Sequence, residues 1–482
     1  MRRLSICSSL VIAAFWATPV RGDLVEYKVG GSRELKLHIQ GTAKVHPGKT
    51  VTVTPTNKRY DALHFALDDV DIHKAPSLEQ QFGKQLGKAK SDPNAVMTAA
   101  AWALRHGMLD AFYKSVDKAL ELDPKHSDAK RIKALKAEME KDLGDSTKQQ
   151  DELKKFVNRP QMKFEISKHF VLMYDTPEKA EKGRKPHHKE QIALLEKVYD
   201  SFLLTFFSRG VALEIPKEKL KVVLFNQHQD YLDFSVRLDP FLINAAGFYT
   251  HEPNTSFFFV QGTNKIYEAI EKIQKQNREY SDELKKKRVK GGGDIIRIVK
   301  LFDVLLAIAK DGQDISVVSH ECTHQLAANT GLFPRNLHVP RWVHEGLAAY
   351  FESPSDGAWS GIGAVNEERI MFYRALAEDR EHSSIDFIVG DQIFDYAGSI
   401  GAILHAYGQS WALTHFLVEK HLDQFIRYYK ELGEMPPDVR LNPQLLTALF
   451  ERVFPDKAAL ELEWRSYMRG LKTDIELILG DD

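Results

Sequence analysis

The chain has 482 residues, 43% hydrophobic and 28% charged, the balance of a soluble globular protein long enough for two or three domains. Lysine and arginine total 66 against 67 acidic residues, a net charge of −1. No global field therefore favours nucleic acid or an anionic membrane, and any recognition has to be local. Residues 1–22 read as a secretory signal, with Arg2 and Arg3 as its basic start, Leu10 to Ala17 as its apolar middle and Val20-Arg21-Gly22 as the cleavage site. The apolar run is too short for a good membrane span, which sets a cleaved signal ahead of the competing reading, an uncleaved anchor. No span is expected after its removal, and the mature chain is expected to be secreted or to lie in the periplasm or cell envelope. Cys7 falls within the signal, which leaves Cys322 with no partner for an internal disulfide.

Residues 23–75 are strand-like. Leu24–Tyr27, Leu35–Ile39, Val51–Val53 and Leu63–Ala66 are separated by Gly30-Gly31, Pro47-Gly48 and Pro55-Thr56-Asn57, which predicts a small β-barrel or sandwich. His38, His46 and His64 read as surface residues of that domain and not as ligands. Residues 76–157 turn helical. Ala95–His106 and Leu109–Leu122, ending in Asp123-Pro124, resemble one tetratricopeptide-type helix pair, with Gly107, Phe112, Ala119 and Pro124 at the expected offsets. No second copy follows at the usual period, so a spacer bundle and a module binding a protein partner both stay open. Leu143–Val157 reads as a linker or an exposed helix.

Strands are next expected at Phe164–Tyr174 and Leu220–Phe225, with an amphipathic helix at Gln191–Phe207 between them. Gly247–Tyr249 and Ser256–Val260 read as an antiparallel pair. Lys265–Lys290 is a heavily charged helix whose default role is a solvated face. Gly291-Gly292-Gly293 reads as a hinge, since no Gly-Lys-Ser/Thr follows to make a phosphate loop. Asp294–Lys310 is apolar but broken by Arg297, Lys300 and Asp303, which makes it a packing helix.

The chemistry concentrates in Ser319–Glu352. His320-Glu321-Cys322-Thr323-His324 is an H-E-x-x-H run, and one helical turn brings both imidazoles to one face, where a single Zn²⁺ can meet both. Glu321 stands about 100° around the helix, where a general base for water belongs. A catalytic zinc keeps three protein ligands and one open position. Glu345 is the best third ligand, on a second helical run from Arg341 to Glu352. Asp314 is the expected N-cap of the first helix, Ile315, Val318, Cys322 and Leu326 its apolar side, and Gly331 its C-terminal glycine. Pro340 stands where the second helix begins. Cys322 lies about 200° from His320, so core packing is expected of it instead of metal binding. The competing reading is two surface histidines on an amphipathic helix, with Glu345 pairing locally.

At these residues the chain resembles the gluzincin metallopeptidases of the peptidase MA clan. The second helix, W-V-H-E-G-L-A-A-Y-F-E, is similar to the W-x-x-E-G-x-A-x-Y/F-x-E segment of that clan's uncharacterised exported members. The resemblance covers roughly Lys163 to Leu471 and implies zinc on His320, His324 and Glu345 with Glu321 as base. Thermolysin-like relatives carry an Asp one turn after the ligand Glu to orient a zinc-bound His, whereas this chain has Ala349. Glu352 or backbone carbonyls are the alternatives for that task. The resemblance also implies an edge strand that pairs with substrate backbone. Phe257–Val260 is the choice, although three consecutive phenylalanines also suit a strand buried on both faces. The Ser353–Gly363 loop is expected to border the cleft. Tyr407 lies about where relatives place the donor that steadies the oxyanion, with His415 as the competing candidate and an ordinary core tyrosine as the plain reading.

The expected architecture is α+β: a zincin-like catalytic domain with a small antiparallel or mixed sheet and a helical C-terminal lobe, preceded by a small β domain and the tetratricopeptide-like helices. The boundaries are residues 1–22 (signal), 23–75 (β), 76–157 (helical), 158–352 (N-terminal lobe with the zinc-binding helices) and 353–482 (C-terminal lobe). The expected activity is zinc-dependent hydrolysis of a peptide or protein substrate. The G-x-M-E-N signature of zinc aminopeptidases is absent, which favours internal cleavage. The rivals are an exported zinc-stabilised binding protein, recruiting a partner through its N-terminal regions, and a scaffold that binds no metal.

Overall fold

A computed structural model describes residues 22–29, 36–57, 59–180, 184–287, 292–334, 337–352, 354–355, 358–359, 361–398, 400–437 and 439–480. The expected signal, up to residue 21, lies outside them. The architecture is α+β, as the alternation of strand-like and helical patterns predicts. Five N-terminal strands, β1 (Asp23–Lys28), β2 (Lys36–His46), β3 (Thr50–Pro55), β4 (Leu63–Ala66) and β5 (Val70–His73), form one antiparallel sheet in the order β4-β3-β2-β1-β5. This corrects the barrel or sandwich expected from sequence. The second layer is a helix from far along the chain: Leu301, Val304 and Leu305 close the core over Val25, Tyr27, Ile39, Val51, Val53 and Phe65. A four-residue strand such as β5 carries too short an alternation to be seen in sequence.

Five helices follow: α1 (Leu78–Ala89), α2 (Pro93–Arg105), α3 (Leu109–Leu122), α4 (Ser127–Met139) and α5 (Thr147–Val157). The Asp92 side chain caps α2, with Pro93 at its first position, and Gly107 takes positive φ at the turn into α3. The α2–α3 pair is the one expected, and the Leu143–Val157 stretch proves to hold a helix.

The second sheet is mixed, with β6 (Lys163–Ile166), β7 (Phe170–Tyr174), β8 (Leu220–Phe225), β9 (Gly247–Thr250) and β10 (Thr255–Phe259) in the order β6-β7-β8-β10-β9. Helix α6 (His187–Ser208) connects the parallel strands β7 and β8, and α7 (His228–Leu238) follows β8. Strand β10 runs parallel to β8 on one side and antiparallel to β9 on the other, so it is central. The edge expected at Phe257–Val260 is therefore at Gly247–Thr250. Phe258 packs into the main core while Phe257 and Phe259 pack on the opposite face, the two-sided burial that a run of phenylalanines favours.

The charged helix α8 (Lys265–Lys287) leads to α9 (Gly292–Asn329), a single helix of 38 residues and about 57 Å. Sequence suggested a hinge, a packing helix and a separate short helix capped by Asp314. Gly291 lies outside the described residues, but Gly292 and Gly293 belong to the helix. Asp314 sits mid-helix, its carboxylate accepting the Gln261 N–H at 2.7 Å. Asp-Gly-Gln-Asp at 311–314 imitates a helix break, and burial on both sides overrides it. Helix α9 thus covers the N-terminal sheet with its first half and carries the H-E-x-x-H run in its second.

Helix α10 (Arg341–Phe351) follows, then the helical C-terminal region of α11 (Glu367–Leu376), α12 (Ile385–Val389), α13 (Gln392–Tyr396), α14 (Ile400–Lys420), α15 (Leu422–Gly433), α16 (Pro443–Val453), α17 (Lys457–Gly470) and α18 (Asp474–Leu479). Helix α14 is its axis, with Trp411, Leu413, Phe416 and Leu417 buried. One continuous core joins α2–α4, the second sheet, α6, α9, α10 and α14. Among the described residues no helix is long and apolar enough to cross a membrane.

Candidate metal centre

Helices α9 and α10 face each other so that His320, His324 and Glu345 converge. The Nε2 atoms of His320 and His324 stand 3.0 and 3.6 Å from Glu345 Oε2, and one ligand atom from each residue lies within 4.8 Å of the other two. Donors on one tetrahedral ion at about 2.0–2.1 Å are roughly 3.4 Å apart, so this triad is already spaced to hold a metal. The local sequence explains the placement. His320 and His324 share a face by their one-turn separation, Gly331 takes positive φ just past the end of α9, and Pro340 starts α10. Cys322 packs fully buried in the core, as expected.

Glu352, at the C-terminal end of α10, takes the place that sequence left open between a carboxylate and backbone carbonyls. His320 Nδ1 donates to its Oε1 at 2.5 Å. That bond leaves Nε2 as the ligand atom and fixes the ring. Glu352 is held in turn by Arg369 of α11, whose Nε and Nη2 donate at 2.9–3.1 Å, and by Asn366 Nδ2 at 3.3 Å. Burial opposes ionisation of Glu352, yet Arg369 and His320 overcome it and hold its pKa down at about 2. Burial likewise acts to lower His320, and its hydrogen bonds to Glu345 and Glu352 reverse this and raise it to about 10. A proton on a buried imidazole between two carboxylates occupies the place a cation would take. His324 lacks the second carboxylate, and burial with the neighbouring His344 lowers it to about 3. The His344 ring stacks on His324 with centroids 3.6 Å apart.

Glu321 is buried beside the triad. Burial pushes its carboxyl up to about 8, against the pull of His320. Strand β9 lies directly on it. A Cβ on Gly247 would stand 2.9 Å from Glu321 Cγ and 2.8 Å from Val317 Cγ1, so only glycine lets the edge strand settle there. The Tyr249 backbone N–H is hydrogen-bonded to the Glu321 carboxylate.

Residues 314–438 match the model of a family described as a protein of unknown function, DUF1570. No curated protein and no solved structure matches the chain. The matched segment starts mid-way along α9 and holds the triad together with Glu321, Glu352, Arg369 and Tyr407.

The structure separates the two candidates for an oxyanion donor. The Tyr407 ring on α14 lies 6.2 Å from the His320 ring, with the Arg369 guanidinium 5.2 Å from its own centroid. The charge of Glu345 and burial raise its pKa well above the ordinary range, so the phenol keeps its proton as a donor. His415, about 12 Å further along the same helix, is turned into the core. Its Nδ1 faces the Tyr467 hydroxyl at 3.0 Å and its Nε2 faces the Gly363 carbonyl at 3.3 Å, while burial lowers its pKa to about 4. Sequence reasoning missed Arg369 and His344. The second adjoins Glu345 and could have been found, whereas nothing in the local pattern marks Arg369. The Ser353–Gly363 loop is described only in part, with residues 353, 356, 357 and 360 outside it.

Proposed function

We propose that this chain is an exported zinc peptidase of gluzincin type. The observation that carries the reading is the convergence of His320, His324 and Glu345 with a buried carboxylate, Glu321, beside them. Two imidazoles and one carboxylate suit zinc, and the single carboxylate with the Glu352–His320 hydrogen bond follows the arrangement of catalytic zinc sites. Bound zinc would supply Lewis acidity, making a water nucleophilic near neutral pH and polarising the scissile carbonyl.

The chain's own residues do the rest. Glu321, buried beside the triad, takes the proton of the attacking water and returns it to the leaving amine. Tyr407 donates its O–H to the oxygen on which negative charge develops. Strand β9 ends the second sheet beside Glu321, so an extended substrate would lie along Gly247–Thr250. Pairing along a sheet edge suits unfolded polypeptide segments better than folded proteins, and the absence of the G-x-M-E-N signature supports internal cleavage. The basic start and short apolar run of residues 1–22 support export. The α1–α5 region and the N-terminal sheet remain the surface on which a protein partner would dock.

The reading is tested with Glu321→Gln. The variant is expected to keep its zinc and lose roughly 10²–10⁴-fold in kcat on a peptide library. Cleavage at the wild-type rate would remove Glu321 from the mechanism and the reading with it.

A further inference from the structure

We propose that Arg369 is the positioning residue that sets the metal ligand His320 and the donor Tyr407 together; the proposal rests on the peptidase reading above. One guanidinium touches both halves of the site. Along its edge, Nε and Nη2 fork onto Glu352, with Nε to Oε2 at 3.1 Å and Nη2 to the two oxygens at 3.1 and 2.9 Å. Glu352 passes that orientation on through Oε1, which receives His320 Nδ1 at 2.5 Å. Over its face, the Arg369 Cζ stands 5.2 Å from the Tyr407 ring centroid, within the range of a cation–π contact. Three helices are thereby fixed against the metal helix α9 from one side chain: α10 through Glu352, α11 through Arg369 itself and α14 through Tyr407.

The charge balance explains why an arginine stands there. Glu321, Glu345 and Glu352 are three carboxylates gathered around one small site, and Glu368 adds a fourth, 3.5 Å from Arg369 Nη1. A buried carboxylate stripped of its cation is strongly destabilising, so Glu352 can orient His320 only while a cation faces it. Lysine would carry the charge but not the two-pronged fork, nor the flat face that Tyr407 covers. A residue that merely neutralised Glu352 would have no reason to lie against the oxyanion donor. The contact with Tyr407 is what makes Arg369 more than a counter-ion.

Arg369→Lys separates the two roles. Zinc release to a chelator is expected to quicken by 10–100-fold, the usual effect of losing a group that orients a ligand. At saturating zinc, kcat is expected to fall by about tenfold or more with KM little changed, since the positioned groups act on the transition state. In a Tyr407→Phe background the same change should lower kcat far less, because the donor that Arg369 orients is already gone. Glu352→Gln, which keeps the side chain's size, should reproduce the zinc release without the coupling to Tyr407, and it serves if Arg369→Lys fails to fold. Zinc release and kcat both at wild-type values in Arg369→Lys would overturn the proposal, as would effects of Arg369→Lys and Tyr407→Phe that simply multiply. A wild-type protein that binds zinc and cleaves nothing would sink the peptidase reading alone. Zinc release would then decide the proposal: unchanged release in both variants overturns it.

Discussion

His320 is the side chain on which the site turns, because each of its ring nitrogens meets a different carboxylate. Its spacing from His324 was legible in sequence, since helix periodicity alone decides which residues share a face. Glu345 and Glu352 were legible for the same reason, both lying on one apolar helical run. Arg369 was not, because it reaches Glu352 across 17 residues and a change of helix, and no periodic pattern encodes that contact. The choice between Tyr407 and His415 also needed three dimensions. The structure yields a direct comparison: Tyr407→Phe should lower kcat by about 10²–10³-fold and leave zinc content unchanged. His415→Gln should lower the melting temperature, since it disturbs a buried ring packed on Tyr350 and Trp411, and leave kcat at saturating substrate near wild type. Steady-state kinetics on both variants checks this.

Elements follow burial more than local pattern. Strand β10 is central and not an edge because its phenylalanines are buried on both faces, and β9, short and half-exposed, is the edge. Helix α9 was divided at Gly291–Gly293 and at Asp314 because local propensity favours a break there, while packing against the N-terminal sheet and the second sheet keeps it whole. The approach of α10 to α14 makes a sharper test. A Cβ on Gly346, next to Glu345, would meet Thr414 Oγ1 at 2.3 Å and the Ser410 carbonyl oxygen at 2.6 Å. Gly346→Ala is expected to push the helices apart, costing about 1–3 kcal/mol, and to move Glu345 off the triad. Urea denaturation together with zinc content measures both effects, and full zinc occupancy at wild-type stability would contradict the placement.

At the largest scale, contacts between elements far apart in sequence hold the fold together. The N-terminal sheet shares its core with α9 through Leu301, Val304 and Leu305. Glu419 of α14 gathers Arg105 from the end of α2 at 2.7 Å, Arg209 beyond α6 at 3.2 Å and the Tyr350 hydroxyl of α10 at 2.7 Å. Burial would raise its pKa, but Arg105 and Arg209 overcome this and hold it at about 2 instead of the ordinary 4.5. Because the folded state lowers this pKa, the stability it contributes is complete above about pH 4.5 and is lost as the pH falls toward 2. Glu419→Gln should therefore be less stable than wild type at pH 6, and the gap between their melting temperatures should close on acidification. A gap that stays constant from pH 6 to 3 would show that the charge of Glu419 is not what joins these helices. Long-range ties of this kind leave no trace in local sequence, because no periodic pattern encodes a contact between distant helices.

Whether His320, His324 and Glu345 hold the proposed zinc ion between two helices is decided by elemental analysis of protein purified with zinc present, comparing wild type with Glu345→Ala. About one zinc per chain is expected in the wild type, and most of it should be lost in the variant. Less than about half a zinc per wild-type chain, or equal zinc in both proteins, would contradict it.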